Sequence, residues 1–147
     1  MDLIADVFTV LNSLAALEHN SNIGPAGLTK RILYMTDKIV VFSTCGSQEE
    51  AELLARRLVE ARLAACVNVI MQIRSFYRWQ GKIEESGEWL LVIKTSRDVF
   101  DEVRAVLEAA HSYELPEVLA LPVVAGSPNY LAWLEREIKS PDNIERD

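Results

Sequence analysis

Ile39-Val40-Val41-Phe42-Ser43-Thr44, followed at once by Cys45-Gly46-Ser47-Gln48-Glu49-Glu50, is the stretch from which the fold can be read. The first six residues form a short, mostly apolar run of the kind buried on both faces of a sheet. Ser47-x-x-Glu50 is a capping box, in which the serine hydroxyl accepts from the third amide and Glu50 reaches back. A helix has to follow, and Ala51, Leu54, Ala55, Leu58 and Ala61 recur at its spacing. Glu52 and Arg56 make an i,i+4 pair on its wet side.

Beyond that helix, Val67, Val69, Met71 and Ile73 alternate with Cys66, Asn68, Gln72 and Arg74, a strand that continues through Phe76-Tyr77-Arg78-Trp79. Gln80-Gly81 is a tight-turn signal. A second strand region then runs from Lys82 to Thr95, expected to bend or bulge near Ser86-Gly87. Ser96 to Ala110 reads as the second helix, burying Val99, Val103, Val106, Leu107 and Ala110. Val118-Leu119-Ala120-Leu121-Pro122-Val123 reads as the last core strand, and Asn129 to Lys139 as a terminal helix after Gly126-Ser127-Pro128. The order β-α-β-β-α-β plus a helix is an α+β, ferredoxin-like split βαβ arrangement. Its long hairpin, about Ser75 to Glu88, is rich in aromatics and charges, the composition of a segment that lies against another subunit.

Upstream, Asn20 to Gly27 has linker composition. Before it, Leu3, Val7, Val10, Leu14 and Leu17 recur as one face of a helix. Residues 1–34 are therefore an N-terminal extension with two open readings: an appended helix packing on a neighbour, or a start-site artefact with Met35 the true first residue. Residues 35–139 form the domain, and the charged tail 140–147 is expected to be loose.

The 147 residues are 50% hydrophobic and 25% charged, a globular balance that excludes a disordered chain or a disulfide scaffold. A net charge of −7 repels phosphate backbones, so nucleic acid is not an expected partner. No stretch reaches the roughly 18 apolar residues of a membrane span, and the acids in Met1 to Asp6 do not suit a signal peptide. Two cysteines outside any C-x-x-C pair point to a reducing, cytoplasmic setting.

Several residues invite chemistry, each with a duller rival. His111 could ligate a transition metal, or simply complement a helix C-terminus. Cys45, just before the capped helix, would have its thiol pKa lowered by that helix N-terminus and could bind a soft metal, or it is a small residue packed behind a strand. His111-Ser112-Tyr113-Glu114-Leu115-Pro116-Glu117 gathers an imidazole, a phenol and two carboxylates in a loop stiffened by Pro116. No phosphate loop and no nucleophile elbow occurs, so nothing in the residues argues for an enzyme.

Five segments in order carry a resemblance. Arg62-Leu63-Ala64-Ala65-Cys66-Val67-Asn68, Ser75-Phe76-Tyr77-Arg78-Trp79-Gln80-Gly81-Lys82-Ile83-Glu84, Ile93-Lys94-Thr95, His111 to Glu117, and Asn129-Tyr130-Leu131-Ala132-Trp133-Leu134 resemble the motifs of the CutA divalent-cation-tolerance proteins, from about Lys38 to Ile138. The resemblance implies a non-enzymatic, tight homotrimer whose hairpins wrap neighbours, similar to the PII signalling proteins. It also implies a role in tolerance of copper or another divalent cation. Carried over by position, the implied metal ligands are His111 and Cys45. Ala110 stands where some members have a second histidine, and Ser43 occupies the strand-end ligand position from which Cys45 is offset. The implied inter-subunit cleft is lined by Tyr77, Trp79, Lys94, His111, Tyr113, Glu117 and Trp133. A PII-like trimer that binds a small effector or a partner protein without metal is the alternative.

Overall fold

A computed structural model describes residues 36–139, within the unit Met35–Asp147. The readings made for residues 1–34 and for the tail 140–147 lie outside the described residues. The elements are β1 (Lys38–Cys45), α1 (Gln48–Glu60), β2 (Cys66–Trp79), β3 (Lys82–Ser96), a 3-10 turn (Arg97–Val99), α2 (Phe100–Ala110), β4 (Leu119–Pro122) and α3 (Pro128–Glu137). The sheet is antiparallel in the order β2-β3-β1-β4, which is the ferredoxin-like topology.

One face of this sheet carries the core. Ile39, Val41, Cys45, Leu91 and Ile93 project from β1 and β3 and are buried with Leu54 and Leu58 of α1 and Val103 and Leu107 of α2. The alternate residues, Val40, Phe42, Leu90 and Val92, are only half-buried, because among the described residues no helix covers that side. The apolar run at β1 is thus fully buried on one face, not two. Its continuous hydrophobicity leaves an open apolar sheet face, extended by Leu119 and Leu121 of β4, which pair with Phe42 and Val40. Leu119 is 57% exposed and Leu121 46%. β4 is accordingly a four-residue edge strand with every residue exposed, not the core strand expected for 118–123.

Ser47 caps α1 as read, its hydroxyl accepting from the Glu50 amide at 3.2 Å. The other half of the box does not form, because the Glu50 carboxylate turns to Ser112, taking its amide at 2.5 Å and its hydroxyl at 2.9 Å. The expected bulge also moves. β3 pairs without interruption past Ser86 and Gly87, and the irregularity lies in β2, where the three steps from Ile70 to Ile73 match two from Leu90 to Glu88. Gln72 there takes a φ of 58°. A bulge increases local twist, and it separates the part of the hairpin in the sheet from the arm beyond.

Candidate functional site

Beyond the bulge, Tyr77 pairs with Glu84, Ser75 with Ser86 and Ile73 with Glu88. Strand alternation then puts Ser75, Tyr77, Trp79 and Glu88 on the face shared with Leu90 and Val92, the open one. The S-x-Y-x-W spacing is therefore the spacing of one strand face. Opposite it runs the loop after α2. Between arm and loop lies a groove of about 910 Å³, lined by Thr44, Ser75, Tyr77, Arg78, Trp79, Glu88 and the segment 112–119.

The loop is held from behind by His111, whose side chain is fully buried. Its Nε2 donates to the Thr44 carbonyl at 2.9 Å, since a carbonyl can only accept, and its Nδ1 accepts from the Tyr113 amide at 3.0 Å. That assigns the neutral tautomer with the proton on Nε2 and its one ring lone pair already engaged. Glu50 clamps the adjacent Ser112. Tyr113 then crosses to Glu88, donating its hydroxyl to Oε1 at 2.9 Å. Burial, followed by the hydrogen bond and charge of Glu88, holds the Tyr113 phenol well above its usual pKa. Gly46 leaves room for this ring, since a Cβ there would stand 3.0 Å from the Tyr113 hydroxyl. Glu117 is pushed above the usual carboxylate range by burial and then by the charge of Glu88.

Four of the seven expected cleft residues, Tyr77, Trp79, Tyr113 and Glu117, line this groove, and His111 braces its wall. Lys94 and Trp133 lie elsewhere in the subunit. Lys94 pairs with Val40 and Cys66, and its Nζ donates to Asn68 Oδ1 and sits 3.5 Å from Cys66 Sγ. Trp133 packs on the core, 5.3 Å from the Tyr130 ring. Glu88 joins the site without any forewarning in the sequence. A lone glutamate before Trp89-Leu90-Leu91 carries no signal that a tyrosine 25 residues away will cover it.

The metal reading meets the chemistry of Cys45 and His111. The two lie together, Cys45 Sγ 3.8 Å from His111 Nε2. The thiol is nevertheless fully buried, and its pKa is pushed up to about 12 by that burial and then by the charges of Glu50 and Glu88. This overturns the expectation that the α1 N-terminus would favour a thiolate, because desolvation and two carboxylates outweigh the helix dipole. With the thiol protonated, Nε2 protonated and Nδ1 occupied, this pair does not fit a copper ion. Ser43 is also fully buried, on the helix-covered face. Among the described residues no group of three or more His, Cys, Asp or Glu converges as a metal would need.

Comparison with known proteins places these features in a lineage. Residues 39–137 match the family model described as CutA1 divalent ion tolerance protein. The chain is 46% identical over 102 residues to Protein CutA of Mus musculus, covering 69% of this chain and 58% of that protein. It is 45% identical over 95 residues to the divalent-cation tolerance protein CutA of Thermus thermophilus, covering 65% of this chain and 92% of that one. The chain thus spans just over half the length of the mouse relative. A solved structure named as the periplasmic divalent cation tolerance protein CutA from Archaeoglobus fulgidus superposes with a TM-score of 0.68 at 40% identity, covering 69% of this chain and 99% of that one. With the sheet order, the one-faced aromatic hairpin and the H-x-Y-x-x-P-E loop already in place, the match over two-thirds of the length settles the lineage: this chain belongs to the CutA1 divalent ion tolerance family.

Proposed function

We propose that the chain is a cytoplasmic, non-catalytic divalent-cation tolerance protein that works as a homotrimer and binds a small ligand in the groove between the hairpin arm and the 112–119 loop. The observation that carries this reading is the groove itself, with three aromatic side chains and buried or half-buried carboxylates facing one space. The apolar sheet face that the described residues leave uncovered supports assembly, since exposed apolar surface of this kind is ordinarily covered by a partner. Lys94, on that open face, joins a groove only if a neighbouring subunit brings it there.

A second reading, copper held by Cys45 and His111, is favoured by their 3.8 Å approach. It would cost a thiol proton at a pKa of about 12 and the Nε2–H bond to Thr44, so the small-ligand reading is preferred. Native mass spectrometry of the full chain and of His111→Ala, with and without stoichiometric copper, separates the two. The expected result is a trimer with no His111-dependent copper. Copper in multiples of three that disappears in His111→Ala would overturn the small-ligand reading, and a monomer would overturn the assembly.

A further inference from the structure

Glu88 is 5% exposed, yet within one subunit and among the described residues its carboxylate meets one donor, the Tyr113 hydroxyl, and no cationic side chain within ion-pair distance. Buried charges are ordinarily paired, because water's solvation has to be replaced. The surroundings sharpen the deficit. Glu114 and Glu117 line the same groove, and Arg78, the one basic residue in the lining, turns its guanidinium to the Gly81 carbonyl at 3.2 Å. The rings of Tyr77, Trp79 and Tyr113 also line it, and aromatic faces attract cations.

We propose that the groove is a site for a small organic cation of the alkylammonium class, with its charge at Glu88 and its alkyl part against Tyr77 and Trp79. The proposal rests on the groove being the ligand site and names the ligand's chemistry. An anion would face three carboxylates. A hard divalent metal would want about six oxygen donors converging on one point, and among the described residues no group of three or more His, Cys, Asp or Glu converges in that way. An alkylammonium uses both features, the desolvated carboxylate through its N–H donors and the rings through dispersion and cation–π attraction.

The test is isothermal titration of the full-length chain with butylammonium and with its neutral isostere butan-1-ol, repeated in Glu88→Gln and Trp79→Leu. Glu88→Gln keeps the acceptor for Tyr113 and removes the charge. Trp79→Leu changes a half-exposed ring on the arm, so it remains a test should Glu88→Gln fail to fold. The expected result is butylammonium binding at least tenfold tighter than butan-1-ol, and a loss of tenfold or more in each folded variant. Equal binding of the alcohol, or unchanged binding in Glu88→Gln, would overturn the cation assignment. Butylammonium silent while inorganic phosphate or copper binds in a Trp79-dependent way would overturn the ligand class and leave the groove's role standing. Silence of all four probes would overturn both.

Discussion

At the scale of single residues, the 111–117 segment shows how a family motif becomes a structural brace. His111 spends both ring nitrogens on backbone atoms, so its contribution is the placement of Tyr113 and not a free lone pair. Cys45 behind it is a core residue, and its chemistry should be silent. In the native chain iodoacetamide at pH 8 leaves Cys45 unmodified, and alkylation appears only after unfolding in guanidinium, as peptide mass mapping would show. Modification of native Cys45 would contradict its burial and its pKa of about 12. Glu117 makes a pH-dependent contribution of the opposite kind to a salt bridge. Its native pKa is raised above the ordinary carboxylate value by burial and by Glu88, so the native state favours its proton and loses stability as pH rises through that range. Glu117→Gln should therefore raise the unfolding free energy at pH 7, measured by urea denaturation, by under about 1 kcal/mol because water screens the partly exposed pair. That gain should vanish below pH 4, and an equal gain at both pH values would contradict the mechanism.

At the scale of elements, β1 shows what holds the sheet to the last helix. Lys38 is buried at its start, yet its ammonium is ion-paired with Asp37 at 2.7 Å and with Glu135 of α3. Burial lowers its pKa, but the two carboxylates more than offset this and leave it raised above 10.5. Stability from this pairing is fully present below pH 10.5 and lost as pH climbs through the native value. Lys38→Met should cost about 1–2 kcal/mol at pH 7, and urea denaturation at pH 11 should show the gap to wild type narrowing. Elements with a local signal were legible in advance: the apolar run of β1, the Ser47 cap, the helical spacing of α1 and the Gln80-Gly81 turn, both of whose residues take positive φ. What depends on pairing was not. The bulge sits at Met71-Gln72 because of how β2 registers against β3, and a glutamine at φ 58° announces itself far less than a glycine would. For the site, the S-x-Y-x-W alternation put Tyr77 and Trp79 together, while Glu88 needed Tyr113 to arrive from a distant loop. Lys94 and Trp133, expected in a cleft between subunits, lie away from the groove within one subunit.

At the scale of the whole molecule, the described residues leave an apolar sheet face open in a chain that carries a charge of −7. Helices α1 and α2 cover only the face of Val41 and Leu91, and β4 adds Leu119 and Leu121 to the other side. An isolated subunit would keep that surface in water at roughly 25 cal/mol for each Å² left uncovered. Assembly through this face removes the cost, while the like charge of the copies opposes it at low salt. This opposition makes the assembly sensitive to one added charge at the face. Leu121 is half-exposed in the subunit, so Leu121→Asp leaves the new carboxylate hydrated in an isolated chain, with a change in subunit stability within about 0.5 kcal/mol. In an assembly the same carboxylate is buried without a partner, at a cost of about several kcal/mol per copy. Light scattering coupled to size exclusion should therefore report a trimer for the native chain and a monomer with native circular dichroism for Leu121→Asp. Raising the salt concentration should not restore the trimer, because desolvation of the carboxylate, which salt does not screen, outweighs the repulsion between copies. A trimer unaffected by Leu121→Asp would place the interface elsewhere and leave the open face to another partner.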